Sequence, residues 1–183
     1  MGATMRMAVK EDIIRHEKIP LEDRYDLEST YQVLERGAEQ WPSKPAVSFQ
    51  LKGKPTDKSY SWTYAELLSI TTKAANLFHS LGATEKNSVA LVLPNLPETL
   101  AAMFAAQTSG IVNPINPLLE PSQIASILRD SDAKIVVTLS AFPKTEIAQH
   151  VAEALKSTPA VETLIEVDTV SYTHLTLPTN REV

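Results

Sequence analysis

Residues 89–93 (VALVL) form an unbroken apolar run, bounded by polar residues before it and a proline after it, and this run constrains the chain more than any other segment. A strand that alternates apolar and polar residues leaves one face to water, whereas one that is apolar throughout must be covered on both faces. A comparable β-branched run occupies 134–139 (KIVVTL), and 161–167 (VETLIEV) reads as a further strand. Helical patterns fall between them. Thr63 followed by Glu66 forms a capping box, behind which Tyr64, Leu67, Leu68, Ala74, Ala75, Phe78 and Leu81 recur on one face until Gly82 stops the helix. A second helix is expected over 96–109, capped by Asn95 and Glu98 and ended by Gly110. Pro121 opens a third, carrying Ile124, Ala125, Ile127 and Leu128, and residues 145–155 form a fourth. Ile111 and Val112 are a candidate strand cut short by Pro114 and Pro117. Strand and helix alternate with short links, which predicts an α/β fold: a partial doubly wound, mostly parallel sheet with helices on both faces.

Ahead of this core, residues 1–28 read as a flexible lead-in, at most an isolated turn of helix. Ser29 and Thr30 begin a helix with Tyr31, Val33, Leu34 and Ala38 at helical spacing; Gly37 is expected to shorten it, and Trp41-Pro42 closes it. Residues 46–51 and 60–62 fit two strands of a β-hairpin joined by a polar turn through Gly53, Lys54, Pro55 and Asp57. The truncated domain is thus expected over 29–168. Residues 170–183 (VSYTHLTLPTNREV) show neither period where one more α/β unit is due. The string at 170–175 resembles the translation of a transposon-derived sequencing adapter, so 169–183 is read as a non-native tail, with a genuine polar tail as the alternative.

Composition narrows the chemistry. Lys and Arg number 17 against 22 Asp and Glu, a net charge of -5, which argues against a nucleic-acid partner. The chain has no cysteine, excluding a thiolate metal site and a cysteine nucleophile. No uninterrupted apolar stretch reaches membrane-spanning length and the N-terminus carries no apolar signal core, so a cytoplasmic protein with no transmembrane segment is expected. Glycine occurs only at 2, 37, 53, 82 and 110, so neither common glycine-rich phosphate loop can be written. His16, His79, His150 and His174 are scattered without metal spacing or a serine elbow, and His79 lies where it would favour a helix dipole. No catalytic, cofactor-binding or metal residue is therefore assigned. Three residues are candidates for a pocket wall because they follow buried strands: Pro94, Asn95 and Asn116. The competing reading makes Asn95 a helix cap and the two Asn-Pro pairs at 113–117 a rigid turn.

Four segments together resemble the adenylate-forming superfamily of acyl-CoA synthetases, luciferases and peptide-synthetase adenylation domains. WTYAEL at 62–67 resembles the W-[ST]-Y-x-E-L that opens its first long helix, and VALVLPNLPE at 89–98 its strand–P-N-x-x-E–helix segment. GIVNPINP at 110–117 resembles the run that ends in P-[IL]-N-P, and ILRDSDAKIVVT at 127–138 a further stretch, all in the family's order. The resemblance implies an AMP-forming ligase that uses ATP, Mg²⁺ and coenzyme A on a carboxylic acid, fatty or aryl by the tone of GIVNPINP. It implies equally that the phosphate loop, adenine and ribose motifs and catalytic lysine lie beyond this chain, so a fragment inactive alone is expected. A non-enzymatic α/β binding module, or an adenylation domain that loads a carrier thiol, are the alternatives.

Overall fold

Runs apolar on every side need neighbours on every side, and the computed structural model of the chain places them so. It describes residues 9–20, 23, 26–50, 59–142, 145–168 and 180–182. The strands β3 (Ser88–Val92), β4 (Ile111–Pro114), β5 (Ala133–Leu139), β6 (Thr163–Val167) and β7 (Asn180–Glu182) form one sheet in the order β4-β3-β5-β6-β7. The first four pair in parallel; β7 adds antiparallel to β6. Every residue of β3 is buried, as its composition requires, and burial of each large apolar side chain there contributes about 1.5–3 kcal/mol. The expected α/β architecture is present. Inside the segment read as a patternless tail, residues 180–182 form a strand, because the free edge of β6 offers backbone groups to pair with.

Before the sheet come α1 (Lys10–Glu17) and α2 (Thr30–Gln40), the hairpin strands β1 (Pro45–Phe49) and β2 (Tyr60–Thr63), and α3 (Tyr64–Ser80). The helical turn expected in the lead-in is the eight-residue α1, which buries no residue. In α2, Ser29 Oγ accepts the Gln32 N–H at 3.2 Å as the cap. Gly37 does not shorten this helix. It is buried inside it, where a β-carbon would stand 2.9 Å from the Tyr64 ring, so the glycine serves close approach of α2 to α3. Val33 points outward and is 55% exposed, while Leu34 and Ala38 carry the inward face. The hairpin pairs antiparallel as expected, and its turn lies outside the described residues. At the start of α3 the capping box is complete: Thr63 Oγ1 accepts the Glu66 N–H at 3.2 Å and Glu66 Oε2 accepts the Thr63 N–H at 2.8 Å.

The remaining helices α4 (Pro97–Ser109), α5 (Pro121–Asp130) and α6 (Ile147–Leu155) connect the parallel strands. Right-handed crossovers put α4, which links β3 to β4, on one face, and α5 and α6 on the other, since the chain reverses direction across the sheet after β4. Contacts agree: α4 packs on β3, β4 and α3, whereas α5 and α6 pack on each other and on β5. A second, smaller core of Leu34, Trp62, Leu67 and Ala101 joins the hairpin and α2 to the outer side of α3 and α4.

One boundary differs from expectation for a physical reason. β4 is not cut short before Pro114 but includes it. The Ile115 N–H reaches Leu91 at 2.9 Å, so by strand alternation position 114 directs its missing N–H away from β3, and an edge strand tolerates that. Only the second Asn-Pro pair makes a turn.

Candidate functional site

In an open α/β sheet, ligands lie outside the carboxyl ends of two adjacent strands whose following helices go to opposite faces. Here those strands are β3 and β5, continued by α4 and α6. The structure brings the sequence candidates to this one edge: Pro94 and Asn95 leave β3, and Asn116 leaves its neighbour β4. Pattern reasoning missed the third contributor, residues 140–142 after β5, because strand order, and hence which strand flanks the reversal, is not written in periodicity. Two bonds hold that exit in place. The Ser140 N–H donates to the Val167 carbonyl at 2.9 Å, and the buried Thr138 hydroxyl donates to the Val92 carbonyl at 3.3 Å, tying β5 to β3.

Asn95 is exposed and makes no cap bond. The cap position of α4 is Leu96, with no side-chain bond, and Pro97 at the first helical position removes one N–H that would otherwise need a partner. The expected capping by Asn95 and Glu98 is absent, and proline at the first helical position stands in its place. Thr99 Oγ1 donates to the Pro94 carbonyl at 2.6 Å and ties the helix to the strand exit. Glu98 instead lies half-buried in the first turn of α4. Its Oε2 is buried without a hydrogen-bond partner, and burial raises its carboxyl above the usual carboxylate range, offset in part by its own backbone N–H.

Asn116 begins a four-residue turn with Pro117, Leu118 and Leu119. Its Oδ1 accepts the Leu118 N–H at 3.0 Å and its carbonyl accepts the Leu119 N–H at 3.2 Å, the arrangement that asparagine first and proline second favour. Ile115, 4% exposed, anchors the turn from below. Asn116 thus braces its own turn at the carboxyl edge.

A groove of about 750 Å³ opens at the opposite, amino edge, between the C-terminal ends of α3 and α4, and is lined by Asn76, His79, Thr84, Lys86, Gln107 and Gly110 among others. Helix C-termini carry partial negative charge and repel an anionic ligand. Several polar groups there are already committed: the Thr84 hydroxyl accepts the Lys86 N–H, and the Thr108 and Ser109 hydroxyls donate to carbonyls one turn back. The carboxyl edge is the better candidate.

Among the described residues, none at that edge forms a glycine-rich phosphate loop or an acidic metal cluster. The described glycines, Gly37, Gly82 and Gly110, lie far from one another in sequence and none follows a strand at the carboxyl edge. No three His, Cys, Asp or Glu side chains converge among the described residues. The described residues do not fit nucleotide phosphates or Mg²⁺ by themselves.

A partial doubly wound, mostly parallel sheet with its reversal beside β3 defines the chain as an α/β domain. The chain belongs to the AMP-binding enzyme family, whose sequence profile matches residues 34–181. Among curated relatives, a marinolic acid–CoA ligase from Pseudoalteromonas sp. (strain SANK 73390) is 34% identical over 158 residues, covering 86% of this chain and 24% of that protein. Acetyl-coenzyme A synthetase 1 of Candida albicans is 26% identical over 162 residues, with the same coverages, 86% and 24%. Among solved structures, the anthranilate CoA ligase AuaEII in complex with anthranoyl-AMP superposes with a TM-score of 0.66 at 20% identity, over 82% of this chain and 26% of that one; it shows the fold. The chain spans about a quarter of the length of these relatives. No helix of the described residues is long and apolar enough to cross a membrane.

Proposed function

We propose that this chain is the leading part of an AMP-forming acid–thiol ligase, and that its contribution is to build one wall of the ligand crevice while residues outside these 183 supply the chemistry. The family match over 34–181 carries the reading. In the reaction, a carboxylate oxygen attacks the α-phosphorus of ATP, the bond to the β-phosphate oxygen breaks, and pyrophosphate leaves. The thiol sulfur of coenzyme A then attacks the acyl carbon, the acyl–phosphate C–O bond breaks, AMP leaves, and the thiol proton goes to solvent. Activation is needed because a carboxylate oxygen is a poor leaving group until phosphorylated; cationic groups such as Mg²⁺ offset the phosphate charge. In this chain, Pro94, Asn95 and Asn116 are the wall residues, and none takes part in bond making. The acid is a fatty or aryl carboxylate, a reading supported by GIVNPINP at 110–117. The parent enzyme works in the cytoplasm, and residues 169–183 stand where its reading frame is interrupted.

The test starts with DNA. Uninterrupted genomic sequence read past codon 169 should encode a Gly/Thr-rich loop within roughly 30–60 residues, the length of ordinary α/β units. The full-length protein should then exchange pyrophosphate with ATP in the presence of its acid, and the 183-residue chain should not. A genuine stop codon after residue 183, or exchange by the short chain, overturns the proposal.

A further inference from the structure

His150 lies on α6, one turn beyond Glu146, and is only 23% exposed. Its Nδ1 stands 3.0 Å from the carbonyl oxygen of Leu119, the last residue of the turn that Asn116 begins. A carbonyl can only accept, so Nδ1 carries the proton. The neutral Nδ1–H tautomer and the imidazolium present the same donor to Leu119, and Nε2 lies 3.7 Å from Glu146 Oε2. This is a side-chain bond from the helix that follows β5 to the loop that follows β4, reaching across the flank of the crevice. Ile115 anchors the loop at its start and Pro121 opens α5 at its end, but Leu118 between them is 81% exposed. Leu119 packs partly against the main core, and the His150 bond adds a polar tie at that same residue. We propose that His150 is a positioning residue: its Nδ1–H is the strut that fixes the 116–119 turn, and through it Asn116, at the carboxyl edge.

The inference rests on the reading of that edge as the ligand wall, but the strut can be measured with no ligand present, so the two fail separately. Amide exchange of the 183-residue chain, followed by mass spectrometry, separates peptides covering 115–120 from those covering β3 and β5. In H150L, which keeps bulk and removes the donor, the turn should exchange about five- to tenfold faster, the scale of one hydrogen bond, with β3 and β5 unchanged. H150Q keeps a donor of similar reach and should restore most of the protection. Three results would each overturn the strut: equal exchange in H150L and the parent chain, acceleration spread evenly over the sheet, or no rescue by H150Q.

Discussion

Glu98 carries a penalty that the rest of the chain must offset. Its Oε2 is buried without a partner, and burial is the leading cause of its raised carboxyl. The folded chain therefore holds this proton more tightly than the unfolded chain does. Linkage fixes the sign: the contribution to stability is complete below the ordinary carboxylate range and is lost as pH rises through the raised value. E98Q cannot ionise. Its urea midpoint should exceed that of the parent chain at about pH 7–8, and the two should converge near pH 4, where an ordinary carboxyl is largely protonated. A difference constant across pH would show that burial of the charge is not the cause. Glu98 also marks a limit of legibility. Sequence pattern reads Glu98 with Asn95 as a helix cap, and only packing reveals that this carboxylate is turned partly inward.

At the scale of elements, Gly110 shows how a link between α4 and β4 can be a single residue. Its φ of 179° is extended backbone open to any residue, so it ends the helix without a left-handed turn. Space is the constraint: a β-carbon would lie 2.6 Å from the Thr84 carbonyl oxygen, and a backbone atom cannot step aside as a side chain can. Gly82 is the converse, with φ of +90° and nothing within 4 Å of the added carbon. Gly110→Ala should cost about 1–3 kcal/mol through overpacking, and Gly82→Ala about 1 kcal/mol through backbone strain. Urea unfolding of both variants checks the order, and an equal or reversed cost would refute it. Most elements were legible because their signals are local: the capping box at Thr63, the proline at 121, the all-apolar β3. Pro114 inside β4 and Gly37 inside α2 were misread because each depends on a neighbour brought close only by the fold, an unpaired sheet edge in one case and the Tyr64 ring in the other.

For the whole molecule, the parallel α/β class followed from strand composition, but the site did not. Which strands flank the reversal depends on their order in the sheet, so Asn95 could be placed on a strand exit yet residues 140–142 could not be seen as its counterpart. On the β4 side, Ile111 is 48% and Leu118 81% exposed. Side chains this apolar on one flank should bind a hydrophobic dye such as ANS, and purified chain should show strong dye fluorescence and concentration-dependent association. A dye-silent monomer with a sharp melt would mean this flank is a finished surface. Pro114 decides what form that association takes. Along the outer side of β4 the donors alternate, so those facing away from β3 belong to positions 112 and 114, and proline has none. A strand arriving there finds one amide hydrogen where a regular edge would offer two, too little to template an ordered stack. Copies that meet on this flank are therefore held by greasy side chains and not by backbone, and their clumps should be amorphous, reversible on dilution and blind to amyloid stains.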